Sequence, residues 1–172
     1  MNTRSLVSLA LLVGVGAVLS MVIPGIVFGM KPDMMLTMMF LGIILFRDVK
    51  YVVILGVVTG IISGLTSSFP SGLFPNIIDK VVTSFVFFGL LFITSKLSKK
   101  LPTLIILTAI GTIVSGTVFL GSASLLVGLP GSFTVLFGTI VLPAAVLNAV
   151  AMFILYPIIT SILKRTNMAH SL

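Results

Sequence analysis

Three residues make up the whole acidic inventory of this chain: Asp33, Asp48 and Asp79. Two of them stand beside a lysine, in Lys31-Pro32-Asp33 and in Asp79-Lys80. A zwitterionic ligand needs a carboxylate for its ammonium and a cation for its carboxylate, and these two charge pairs supply both. Both aspartates also suit helix capping. Asp33 follows a proline at the head of an apolar run, and Asn76-x-x-Asp79 has the spacing of a capping arrangement. The two roles are compatible, so Lys31, Asp33, Asn76, Asp79 and Lys80 enter as candidate ligand contacts. Asp48 belongs to a short basic turn, Arg47-Asp48-Val49-Lys50.

Asn148 lies inside another apolar run, LPAAVLNAV, where an amide in hydrocarbon must be bonded. It either bonds a Thr or Ser of a neighbouring helix or faces a ligand. Pro143 suits a first helical turn, and a helix starting there would aim its positive end at a carboxylate. Phe69, Phe74, Phe133 and Phe137 fall in or beside loops, where they can stack on an aromatic ligand or anchor the membrane interface. Catalytic equipment is missing. There is no cysteine, one histidine (His170), and no G-x-x-x-x-G-K-[ST] run for ATP phosphates. No enzyme activity, cofactor or metal site is expected. No carboxylate is expected at mid-membrane depth either, which disfavours a proton relay and leaves sodium coupling through backbone carbonyls open.

The elements that carry these residues follow from composition. Of 172 residues, 58% are hydrophobic and 8% are charged, and mean hydropathy is +1.36. A soluble domain carries roughly 25% charged residues, so this exterior faces lipid. In lipid the backbone must bond itself, and the apolar runs are too long and too weakly alternating for barrel strands. The expected fold is an all-α polytopic bundle of about six transmembrane helices, one domain over 1–172. Spans are expected at about 5–28, 34–46, 51–67, 80–95, 103–120 and 143–163. The second is short and should lie where the bilayer thins, or extend into the preceding loop. The segment 121–142, broken by Gly and Pro, is expected to be re-entrant or surface-lying.

The net charge of +7 does not mark a nucleic-acid binder, because the cations punctuate the apolar runs. With the N-terminus inside, the cytoplasmic side holds Arg4, Arg47, Lys50, Lys96, Lys99, Lys100, Lys164 and Arg165, against Lys31 and Lys80 outside. The positive-inside rule therefore puts both termini in the cytoplasm. The segments at 29–33, 68–79 and 121–142 are then external, and ligand is expected to bind from outside. Gly56, Gly60 and Gly64 share one helical face, read as internal packing. Ala10, Gly14 and Ala17 form a second stripe, which can pack internally or against another subunit.

The stretches FGMKPDMMLTMMFLGIILF, LGVVTGIISGLTSSFPSG and FPNIIDKVVTSFVFFGLL closely resemble the bacterial TrpP-type tryptophan transporters. More loosely, the six spans and the ending LPAAVLNAVAMFILYPIITSILKR resemble the substrate-binding S subunits of energy-coupling factor transporters. The resemblance implies L-tryptophan as substrate, a bacterial cytoplasmic membrane location, and a transmembrane coupling subunit with two ATPase subunits as partners. It also maps partner docking onto the first-helix stripe, Ala10, Gly14 and Ala17. The absence of tryptophan from the chain itself suits an importer made under tryptophan starvation. Two rival readings stand beside it: a stand-alone secondary tryptophan transporter, and a membrane assembly or pore protein built on the glycine face.

Overall fold

The computed structural model describes residues 3–25, 31–94 and 100–165. Among them lie α1 (Thr3–Val22), α2 (Met34–Leu45), α3 (Val49–Leu65), α4 (Leu73–Ile93), α5 (Leu101–Leu126), α6 (Phe133–Leu136) and α7 (Leu142–Arg165). A π-helical turn, Phe137–Val141, joins α6 to α7, so the last three pieces form one continuous rod. The result is a bundle of six rods. Four of them, α1, α4, α5 and Phe133–Leu163, are long and apolar enough to cross a membrane, while α2 and α3 are shorter. This is an all-α polytopic membrane bundle.

The short second helix lies at the centre. All twelve residues of α2 are buried, and α2 touches α1, α3, α4, α5 and α7. A helix that is apolar all round belongs inside, and MMLTMMFLGIIL has no polar face to offer. At about 1.5 Å per residue α2 rises only ~18 Å, but an element enclosed by protein need not match the bilayer. It starts at its Asp33 cap and does not extend into the preceding loop. Phe40 of α2 stacks on Phe87 of α4 at 3.9 Å between ring centroids, and Gly111 of α5 leaves room for the Phe40 ring, which an added Cβ would meet at 2.7 Å.

The glycine face of α3 packs internally, as expected. A Cβ at Gly60 would stand 2.9 Å from Ile77 Cα, and one at Gly64 2.8 Å from Leu73 Cα. These backbones meet with no side chain between them. The stripe on α1 behaves differently. Ala10 and Gly14 are exposed and Ala17 is half-buried, and among the described residues nothing lies within 4 Å of a Cβ at Gly14.

Four span boundaries differ from expectation. The first helix ends at Val22 instead of 28, because Pro24 and Gly25 follow and break it. The fourth helix starts at Leu73 instead of 80, because Pro75 falls in the first turn, where its missing N–H is not needed. The stretch 121–142 is neither re-entrant nor surface-lying. Its first third extends α5 to Leu126, and the turn closes at Gly128, whose φ of +88° suits glycine and whose N–H donates to the Ala123 carbonyl at 2.9 Å. Its last third already belongs to the final rod, which begins at Phe133 instead of 143. Pro143 therefore sits inside a helix and offers no helix end to an anion. The π turn immediately before it is a way to fit a proline ring into a continuing helix.

Of the cations, Lys96, Lys99 and His170 of the tail lie outside the described residues. Lys80 is not a loop residue at all. It is 2% exposed inside α4, which removes it from the external side of the charge count and leaves Lys31 there.

A buried charge cluster in a cavity at one end of the bundle

Successive rods alternate in direction, so the connections at 31–33, 66–72 and 127–132 gather at one end. Beneath them opens a cavity of about 400 Å³, within the range of small-molecule sites. Polarity along its depth is sorted.

The floor is polar and charged. On α4, Asn76, Asp79, Lys80 and Thr83 fall on one helical face, all buried. Lys80 Nζ donates to Asp79 Oδ2 at 2.8 Å and to Asp33 Oδ2 at 2.9 Å. Asp79 is further held by Thr83 Oγ1 and Ser115 Oγ, each at 2.9 Å. It is 1% exposed, whereas the Asp33 side chain is 37% exposed. A buried ion is tolerable only when paired and hydrogen-bonded, and Lys80 is paired with two carboxylates, of which Asp79 also accepts from two hydroxyls. Of the two carboxylates around the one ammonium, Asp33 is the accessible member.

Asp33 also caps α2: its Oδ1 accepts from Leu36 N at 2.9 Å. The Asp33 amide in turn donates to Asn148 Oδ1 at 2.8 Å, and Asn148 Nδ2 donates to Thr112 Oγ1 at 3.1 Å. Asn148 is fully buried and ties the head of α2 to α5 and α7. It makes the expected interhelical bond to a threonine. Asp79, by contrast, caps nothing. It lies six residues after Leu73, roughly 9 Å along α4, so the expectation of an outer-end capping pair with Asn76 gives way. The reason is the earlier helix start, which turns a loop motif into an inward helical stripe.

Above the floor the wall turns apolar and aromatic, with Phe69, Phe119, Leu120, Leu136, Ile140 and Val141. Phe69 and Phe119 meet edge to face at 5.4 Å. Lys31 stands exposed at the rim, its Nζ bonded to the Ser20 carbonyl. A smaller cavity of about 300 Å³ shares Lys31, Asp33 and Asn76 and is also lined by Ser63, whose Oγ meets no hydrogen-bond partner among the described residues.

Seven of the candidate contacts thus converge: Lys31, Asp33, Phe69, Asn76, Asp79, Lys80 and Asn148. Phe74 and Phe133 do not. Phe74 is 67% exposed on the outer face of α4. Phe133 is 38% exposed and stacks with Phe137 at 6.1 Å, away from the cavity. Loop-side position in sequence says nothing of which face a helix turns inward. Sequence reasoning passed over Thr112, Ser115 and Phe119 on α5, although polar residues at spacings of three and four in an apolar span are a recognisable signal.

The family model described as "Tryptophan transporter TrpP" matches residues 2–164. The chain belongs to the TrpP tryptophan transporter family. It is accordingly a transporter and not an enzyme. A relative from Bacillus subtilis, a probable tryptophan transport protein, is 55% identical over 167 residues, 97% of this chain and 96% of that protein. Probable tryptophan transport proteins of Clostridium acetobutylicum and Clostridium perfringens are 46% and 36% identical, over 91% and 97% of this chain and the same shares of theirs. No solved structure matches the chain.

Proposed function

We propose that this chain binds L-tryptophan in the cavity and mediates its uptake across the cytoplasmic membrane of a bacterium. The observation that carries this reading is the depth-sorted cavity: a charged floor at Asp33, Lys80 and Asp79 beneath an aromatic wall at Phe69 and Phe119. Tryptophan matches it head down. Its ammonium takes the accessible Asp33 carboxylate, its carboxylate shares the Lys80 ammonium, and its indole rises against the phenylalanine pair. The naming of the TrpP relatives supports the same substrate. Calorimetry with the purified protein tests it: stereospecific, saturable binding of L-tryptophan is expected, and its absence overturns the reading.

For energy, we propose that the chain acts as the substrate-binding subunit of an ATP-driven energy-coupling factor transporter, with a coupling subunit docking on α1. Ala10 and Gly14 lie open on the outer face of α1, which supports this, as does the lack of an ATP-binding motif in the chain. One observation favours a second reading, a stand-alone secondary transporter. Asp79 sits buried within α4, where a coupling proton could exchange. Uptake of labelled tryptophan in a host lacking energy-coupling ATPases separates the two: its loss supports the subunit role, and its persistence supports the secondary transporter.

A further inference from the structure

Asn76 is 8% exposed and borders both cavities. Its Nδ2 donates to the Gly72 carbonyl at 2.7 Å. A carbonyl accepts only from the amide nitrogen, so this bond fixes the orientation of the side chain and turns Oδ1 the other way. Among the described residues Oδ1 meets no donor, and it is not sealed from the cavity space. Nearby donors are held elsewhere: Ser115 and Thr83 serve Asp79, and the Asn148 amide serves Thr112. An oriented, mostly buried acceptor is therefore left over at the level where the polar floor gives way to the aromatic wall.

Asn76 stands one helical turn from Lys80, about 6 Å along the axis towards the mouth. A ligand whose head group sits at Lys80 places its side chain at that level. Tryptophan has one hydrogen-bond donor beyond its head group, the indole N–H. We propose that Asn76 Oδ1 accepts the indole N–H and is the specificity-determining contact of the site. This rests on the reading of the cavity as a tryptophan site. A phenyl ring or a sulfur isostere in the same slot would leave the amide oxygen desolvated and unpaired, and a site built around a hydrogen bond rejects ligands that lack the partner.

The test uses 3-(benzothiophen-3-yl)-L-alanine, which keeps the shape of tryptophan and replaces its N–H by sulfur. By calorimetry, the wild-type protein is expected to bind this analogue about tenfold to a hundredfold more weakly than tryptophan. In Asn76→Ala that ratio should fall to within about threefold, with analogue binding serving as the control for a folded site. Asn76→Leu replaces it if the alanine variant does not fold. Equal binding of the two ligands by the wild type overturns the inference while leaving the tryptophan site standing. Undiminished discrimination in the variant also overturns it, because another group would then be reading the N–H. If the wild type binds neither ligand, the tryptophan site itself is wrong and the inference falls with it.

Discussion

Lys80 bonds two carboxylates of unequal accessibility, and that inequality separates the roles of Asp33 and Asp79. Asn can cap a helix as well as Asp, so Asp33→Asn keeps the start of α2 while removing the accessible charge. Its expected effect is a tenfold to hundredfold loss of tryptophan affinity, about 1.5–3 kcal/mol, with little change in melting temperature. Lys80→Met is different. It leaves Asp33 and Asp79 facing each other without a cation, and breaking a buried pair costs about 3–5 kcal/mol, so thermal unfolding in detergent should shift well down even without ligand. Asp79→Asn belongs with the second case, since the carboxylate is an ion-pair partner and not a cap. The sequence made these residues conspicuous as the rare charges of an apolar chain. It could not say that Lys80 lies between both aspartates, because that juxtaposition joins residues 47 apart.

Helix packing gives two substitutions of similar chemistry and opposite consequence. Gly60→Val drives a Cβ into the backbone of α4 at Ile77, 2.9 Å away. Backbone cannot step aside as a flexible side chain can, so overpacking of about 1–3 kcal/mol or more is expected, visible as low yield and early unfolding. Gly14→Leu meets open space and should leave folding and tryptophan binding intact. If α1 docks a coupling subunit, the same substitution abolishes uptake in cells. Normal uptake by a Gly14→Leu protein would remove the docking role from this face. Both glycines lie on small-residue stripes in the sequence, and only their neighbours tell them apart.

The bundle as a whole carries its cavity at the end where residues 31–33, 66–72 and 127–132 meet. On the proposal, from the cation count, that this end is external, the described cations Arg4, Arg47, Lys50 and Lys100 lie at the cytoplasmic end. Cysteines introduced at Ser71 and at Lys100 should react with an impermeant thiol reagent from outside and from inside respectively. Reaction at position 100 in intact cells would invert the whole arrangement. Under the proposed orientation and site, tryptophan reaches Asp33 from the external face. Under the subunit reading, uptake should survive collapse of the proton gradient while ATP is maintained, and purified chain alone in liposomes should bind tryptophan without accumulating it.

Composition and hydropathy determined that this chain is an all-helical membrane protein, because lipid tolerates no other way to satisfy backbone groups in such apolar segments. Turn residues and cation placement determined the number and sequence of the rods, and the few charges marked where chemistry lies. Depth and facing were decided only by tertiary structure. The apolar α2 looks like any lipid-facing span until five neighbours enclose it, and Pro143 looks like a helix start until the chain before it proves helical. Asp79 reads as a loop cap until α4 begins two turns earlier and turns it inward. In a soluble protein, polar and apolar faces tell a helix which side is in. Here lipid and protein interior are equally apolar, so which face is buried is set by how side chains and glycines fit against neighbours distant in sequence.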